Sequence, residues 1–341
     1  MVVSFARNGA DSMDGALLKF EAADLRADNG MVELPPVEVS SGFDQLIVSW
    51  NAKTPAGSQL VVHAQARVDG EWTKWYNLGI WNTGGCPEHR TSVKEQEDDH
   101  GDVDTDTLKL KKLADAFRIK VELSGNPSLR FLSVNVIDSS LQTVDLPPLK
   151  QVWGKELDVP AFAQISVEGG RGWCSPTSTT MLLNYWSRKL NRPDLAVGVT
   201  ETAKGIHDEA WGGTGNWPFN TARASEYGGI RGYVTRFASV SQIERWIEKG
   251  VPVIVSLHSS KLRREDSDTD PGHLMVIRGF TAEGDPVFND PWPRGGKAED
   301  APRDYPIEDL RKVFKREDLE YAWLGSGGSW GTVYLIYPEG M

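Results

Sequence analysis

The stretch Gly172-Trp173-Cys174-Ser175-Pro176-Thr177-Ser178 sets one of the chain's two cysteines directly in front of a run with helical spacing. Met181, Leu182, Tyr185 and Trp186 follow at i, i+1, i+4 and i+5, which makes one apolar helical face. Ser175 reads as the N-cap and Pro176 as the first helical residue, where proline's missing N–H costs nothing. Cys174 then sits at the positive end of the helix, where the macrodipole and unpaired backbone N–H groups stabilise a thiolate. A free cysteine is more often a small buried hydrophobe, and the stretch by itself favours that reading. Residues downstream reverse the balance.

A cysteine nucleophile needs a base to take its proton and a third group to orient that base. Three histidines follow Cys174: His207, His258 and His273. His207 lies in a helix-like segment without an evident partner. His258 closes the apolar run Val251 to Leu257 and opens a charged loop, Ser259 to Asp270, which predicts a solvated ring. His273 opens the apolar strand His273 to Phe280, and Gly272 leaves its ring room at the edge. That strand and Pro286 to Asn289 predict a hairpin closed around Ala282 to Gly284. Asp290 then emerges at the end where His273 begins. Simple pairing separates the two by about two to four residues, so contact requires a bulge or a bend at Pro291. An Asp290 carboxylate against His273 would fix its tautomer and stabilise the imidazolium, with Trp292 excluding water. For the developing oxyanion, the candidates are the Cys174 backbone N–H and the side-chain amide of Gln164, ten residues upstream.

The remainder of the chain frames this constellation. Its 341 residues predict two domains. From Gly42 to Asp138 the pattern is β: Leu46, Val48 and Trp50 alternate, then Leu60 to Val68 before an Asp69-Gly70 turn, then Phe117 to Leu123 and Leu132 to Val136. Several short strands with one apolar face predict a β-sandwich. Residues 1–30 read as an N-terminal arm, 31–145 as the sandwich and 146–341 as the second domain, with Asp145-Leu146-Pro147-Pro148-Leu149 as a stiff linker. In the second domain, Ser241-Gln242-Ile243-Glu244 reads as a capping box, one or two short helices fall between Ile307 and Leu324, and Val333 to Tyr337 supplies a last strand. Helix first and sheet afterwards is an α+β order.

Other motifs are weaker. The acidic Asp102, Asp104 and Asp106 lack the glycine and terminal glutamate of a calcium loop and read as solvated. Cys86 and His89 have no second ligand pair, so no metal and no cofactor is expected. Gly212-Gly213-Thr214-Gly215 is followed by no Gly-Lys-Ser/Thr, which argues against phosphate cradling. Trp72, Trp75, Tyr76 and Trp81 form an aromatic cluster that either packs in the core or stacks on sugar rings.

A formal charge of −11 argues against nucleic acid or an anionic membrane surface as partner. No apolar run approaches the roughly 18 residues of a membrane span. No signal peptide is recognised, which favours the cytoplasm; a secreted or cell-envelope location follows if a leader has been removed.

The order Gln164, Cys174, His273, Asp290 resembles the papain-like fold. The strings around Cys174, Gly272-His273-Leu274 and Asn289-Asp290-Pro291 resemble C39-like cysteine peptidases, over roughly residues 150 to 341. Gly215-Asn216-Trp217-Pro218-Phe219-Asn220 and Gly232-Tyr233-Val234-Thr235-Arg236-Phe237 extend the likeness. Ser49-Trp50-Asn51-Ala52 and the Trp72 and Trp75 strip resemble the β-rich domain that precedes the peptidase unit in stand-alone members. The resemblance implies Cys174 as nucleophile, His273 as general base, Asp290 as its orienter and Gln164 as oxyanion donor. It departs from the bacteriocin-processing members, which carry glycine after the cysteine, a shorter glutamine-to-cysteine gap and a fused membrane transporter. Cleavage after a double-glycine leader is therefore not implied.

The function expected is that of a cysteine peptidase or related thiol hydrolase. It would cleave an amide or isopeptide bond in a peptide or peptide-containing polymer through a thioester. The same triad serves acyl transfer. A competing reading is a glycan or surface-polymer binding protein on a vestigial thiol-protease scaffold, with carbohydrate at the N-terminal domain.

Overall fold

The computed structural model describes residues 2–3, 17–140, 146–265, 272–325 and 327–341. The chain divides into two compact units. The first comprises Met1–Leu141, Ile206–Gly228 and Gly232–Val234; the second comprises Gln142–Gly205, Gly229–Arg231 and Thr235–Met341. Asp145 and the end of the Ser259 to Asp270 loop lie outside the described residues.

In the first unit the strands join by hydrogen bonds into one ten-stranded sheet. Its main path runs Leu17–Glu21, Ser128–Ile137, Val37–Lys53, Thr107–Ser124, Gln59–Val68 and Glu71–Trp72. Alternation explains the strands: Leu46, Val48, Trp50, Leu60, Val62, Phe117, Ile119, Leu132 and Val134 are all buried. The Asp69-Gly70 turn has positive φ at both residues, the geometry that suits the twist of the flanking strands, and sets Val68 opposite Glu71. Residues 17–21 of the expected arm are a strand, paired with Ser128–Ile137.

Buried polar residues on the second face of Val37–Lys53 bind the backbone of 232–234. Ser49 Oγ accepts from Val234 N, and Asn51 exchanges two bonds with Gly232. The first face meets the helix Trp217–Ser225, whose Phe219 packs edge-on against Trp50 and Trp81 at 6.0 and 5.4 Å between ring centres. Of the aromatic cluster, Tyr76 and Trp81 are core. Trp72 and Trp75 are half-buried, with Arg118 3.9 Å above the Trp72 ring and Lys120 5.2 Å from the Trp75 ring. Asp104 pairs with Lys109, and Asp106 accepts the Trp217 N–H.

In the second unit a six-stranded sheet runs in the order Ile230–Arg236, Thr332–Pro338, Val253–Leu257, His273–Phe280, Pro286–Asn289, Arg311–Val313. The helix Cys174–Leu190 buries Met181, Leu182, Tyr185 and Trp186. Ser178 Oγ donates to Leu274 O, and Trp186 Nε1 donates to Ile336 O, which tie the helix to two strands of this sheet. No helix among the described residues is long and apolar enough to cross a membrane.

Two helix starts differ from the sequence reading. The cysteine helix begins at Cys174 itself, with Trp173 as N-cap, so Pro176 is its third residue. Proline is tolerated there because the first-turn N–H groups have no intrahelical acceptor. Ser175, freed from capping, bonds Tyr334 through its hydroxyl at 2.9 Å. The helix Val240–Glu248 is capped by Ser239, not Ser241, and Gln242 reaches back to Ala238 N. Glu244 is buried instead and accepts from Leu149 N, Trp153 Nε1 and Arg316.

Candidate functional site

Each side chain of the candidate site in the second unit is placed by a different local device. The turn ahead of the cysteine helix is pinned by Gln164, whose amide nitrogen donates to the carbonyls of Gly170 and Arg171. Gly170 must be glycine here, because a Cβ would stand 1.7 Å from Gln164 O. Gln164 N donates in turn to Pro291 O at 2.8 Å, coupling this turn to the Asp290 segment.

His273 and Asp290 come from the predicted hairpin. Val276 pairs with Asn289, Ile277 with Phe288 and Gly279 with Val287, so the register shifts between Ile277 and Gly279. His273 also pairs with Leu257 on its other side. The His273 ring bridges the remaining gap: its Nε2 lies 2.7 Å from Asp290 Oδ1. The same ring acts on the Cys174 thiol, through hydrogen bonding and charge. The structure thus brings Cys174, His273 and Asp290 into one chain of contacts and places Gln164 beside them, with its nitrogen turned to the Gly170 and Arg171 carbonyls.

Asp290 is fully buried, a costly position for a carboxylate unless every lone pair is used. Oδ1 accepts from His273 and from Trp292 N at 2.8 Å. Oδ2 accepts from Lys312 Nζ at 2.6 Å and, more distantly, from Arg263 at 3.4 Å. Lys312 Nζ also reaches Trp292 O at 2.8 Å. Neither cation is evident from sequence. Lys312 arrives on the three-residue strand Arg311–Val313, opposite Phe288, in a region read as helical. Arg263 caps the short helix Ser259–Leu262, in a segment read as a charged loop.

The electrostatics follow from these contacts. Burial pushes the Cys174 thiol up, but the His273 hydrogen bond and charge, with the Leu274 and Ser175 N–H groups, outweigh it and hold the thiol below its ordinary value. Burial pulls His273 down, and the Asp290 carboxylate together with Cys174 more than reverses this. Burial raises Asp290, whereas His273 and Lys312 hold it well below the usual carboxylate range. All three directions favour the charged forms of Cys174, His273 and Asp290.

The other histidines stand apart from this chain. His258 is the N-cap of Ser259–Leu262, and His207, in the first unit, lies 3.9 Å from Glu209.

Comparison with known proteins adds the family context. Residues 17–136 match the profile of the Peptidase C39 N-terminal domain, and residues 156–322 match that of the Peptidase C39 like family. No curated protein matches the chain. Among solved structures, a candidate C39-like peptidase from Bacillus anthracis is similar at 18% identity and a TM-score of 0.35, covering 54% of this chain and 98% of the other. The structure of infectious bursal disease virus, Gt strain, is similar at 12% identity and a TM-score of 0.20, over 35% of this chain and 32% of the viral one. At these scores the fold rests on the chain's own geometry.

Proposed function

We propose, from the premise that this chain belongs to the C39-like peptidase family, that it is a cysteine peptidase acting through Cys174, His273 and Asp290. The observation that carries this reading is the position of the His273 ring, held between a thiol and a buried carboxylate. A nucleophile-bearing helix set on an antiparallel sheet that bears the base supports a papain-like arrangement for this domain. The β-sandwich reading of the N-terminal domain and its binding of carbohydrate remain proposals alongside it.

In the proposed reaction the Cys174 thiolate attacks the carbonyl carbon of an amide or isopeptide bond, and the carbonyl π pair moves to oxygen. The Cys174 N–H, in the helix's first turn, is available to that oxyanion. As the tetrahedral species collapses, His273 gives its proton to the departing amine, leaving a thioester. Neutral His273 then takes a proton from water while the hydroxide oxygen attacks the thioester. Collapse releases the carboxylic acid and restores the thiolate beside the imidazolium. Asp290 keeps its charge throughout and holds the ring in register. Gln164 acts first as the clamp of the turn before Cys174; as an oxyanion donor it would have to release one of its two carbonyls.

The test is turnover of a peptide library by the intact chain and by Cys174→Ala. Hydrolysis by the former and none by the latter is expected; equal turnover would sink the proposal.

A further inference from the structure

Behind Asp290, on its Lys312 and Arg263 side, the second unit holds a cleft of about 410 Å³. Arg263, Arg294 and Lys312 line it with Trp292, Phe314 and Glu265. Among the described residues, three cations line it against one carboxylate, in a chain whose formal charge is −11. Their donors are largely unspent. Among the described residues, the Arg263 guanidinium makes one contact, at 3.4 Å to Asp290. The Arg294 side chain is exposed and pairs with no described carboxylate. Lys312 is engaged by Asp290 and Trp292 O, which use two of its three N–H groups. Two guanidinium forks beside an ammonium match the planar, bidentate geometry of a carboxylate. The Trp292 and Phe314 rings offer apolar walls for the methylenes that carry such a group.

We propose that this cleft is an oxyanion subsite that seats a carboxylate of the peptide substrate, an acidic side chain or a chain-terminal group, between Arg263 and Arg294. The proposal rests on the peptidase reading above, and it gives that reading a substrate class. Seated there, the carboxylate lies next to cations that also hold Asp290, so the subsite and the candidate triad share their charges. Inorganic phosphate has the same donor requirements and serves as a probe of the subsite without a peptide.

The experiment is calorimetric titration of the full chain carrying Cys174→Ala with acidic peptides and with their amidated twins. The acidic member of each pair is expected to bind about tenfold more tightly, the value of one charge-assisted contact. Arg294→Gln should erase the difference, and inorganic phosphate should compete with the acidic peptide alone. Because Arg294 is exposed, that variant should keep the parent's melting temperature. Equal affinity for the twins, or a preference that survives Arg294→Gln, overturns the subsite. So does phosphate binding that leaves the peptides undiscriminated. Failure of the peptidase reading looks different: the carboxylate preference persists in binding while the chain with Cys174 intact hydrolyses none of the peptides.

Discussion

Asp208 in the first unit and Asp290 in the second are equally buried, yet their surroundings differ in kind. Asp208 accepts from Ser92 N and Oγ, from Trp211 N and from Asn216 Nδ2, all neutral donors between 2.9 and 3.2 Å. They knot the segment after His207 to the strand region near Thr91. Asp290 faces an imidazole, an ammonium and a guanidinium, with one backbone N–H. Full satisfaction makes burial of a carboxylate tolerable in both places. Asp208 lends its charge to the Arg90 guanidinium, whereas Asp290 bonds the imidazole that acts on the Cys174 thiol, so burial of an acid is by itself no sign of chemistry.

The largest expected effects separate the two. Asp290→Asn should slow both turnover and alkylation of Cys174 by iodoacetamide, with turnover falling by about two to four orders of magnitude, because the ring loses its orienting anion. It should also cost about 2–4 kcal/mol of stability by leaving Lys312 and Arg263 without their anion, discounted because both retain some solvent contact. Asp208→Ala should cost a similar amount, about 2–4 kcal/mol in urea unfolding, by stranding Ser92 N, Trp211 N and Asn216. Its Cys174 alkylation rate should match the parent's. A changed rate in Asp208→Ala, or an unchanged one in Asp290→Asn, would break the contrast.

The legible parts of the molecule were those whose signal is local. A period-two run located the Gln59–Val68 strand and a nearly continuous apolar run the His273–Phe280 strand, and Gly284 with its positive φ closed the hairpin as expected. Chain order was enough to nominate Cys174, His273 and Asp290. Register was not legible: the shift between Ile277 and Gly279 is a property of two strands together, as is the pairing that delivers Lys312. The membership of 206–228 in the first unit was equally hidden, because Phe219 reads as a helix-core residue whichever sheet it meets. Helix starts erred by two residues, the cap falling on Trp173 instead of Ser175 and on Ser239 instead of Ser241.

Proton linkage sharpens the contrast further, at a smaller amplitude. Burial pulls His273 down, but Asp290 and Cys174 raise it to about 10; Cys174→Ser keeps the larger of these raising causes, Asp290, so the folded pKa of His273 is expected above the unfolded value near 6.5. The sign is therefore fixed: the pair's stabilisation is full below about pH 6.5 and is lost as pH rises through the folded pKa. The melting-temperature gap between Cys174→Ser and its His273→Gln derivative should close across that alkaline window. In the parent, Cys174 alkylation should hold its rate at pH values below the ordinary thiol range, and His273→Ala should shift the midpoint upward, since burial is then opposed only by the Leu274 and Ser175 N–H groups. A gap that widens with pH, or a midpoint that falls, would contradict the ion-pair description.

The smallest effect concerns the residue beside the nucleophile. Ser175 is fully buried and its hydroxyl meets Tyr334 OH, a neutral contact like those around Asp208 although it adjoins the thiol. If charge rather than proximity decides function, Ser175→Ala should cost about 1 kcal/mol, the net worth of one buried hydrogen bond. It should leave the pH midpoint of Cys174 alkylation where it was, because the Ser175 backbone N–H that supports the thiolate is retained. A shifted midpoint at unchanged stability would place the hydroxyl in the thiol's electrostatic environment, and the line between neutral and charged surroundings would have to be redrawn around Tyr334.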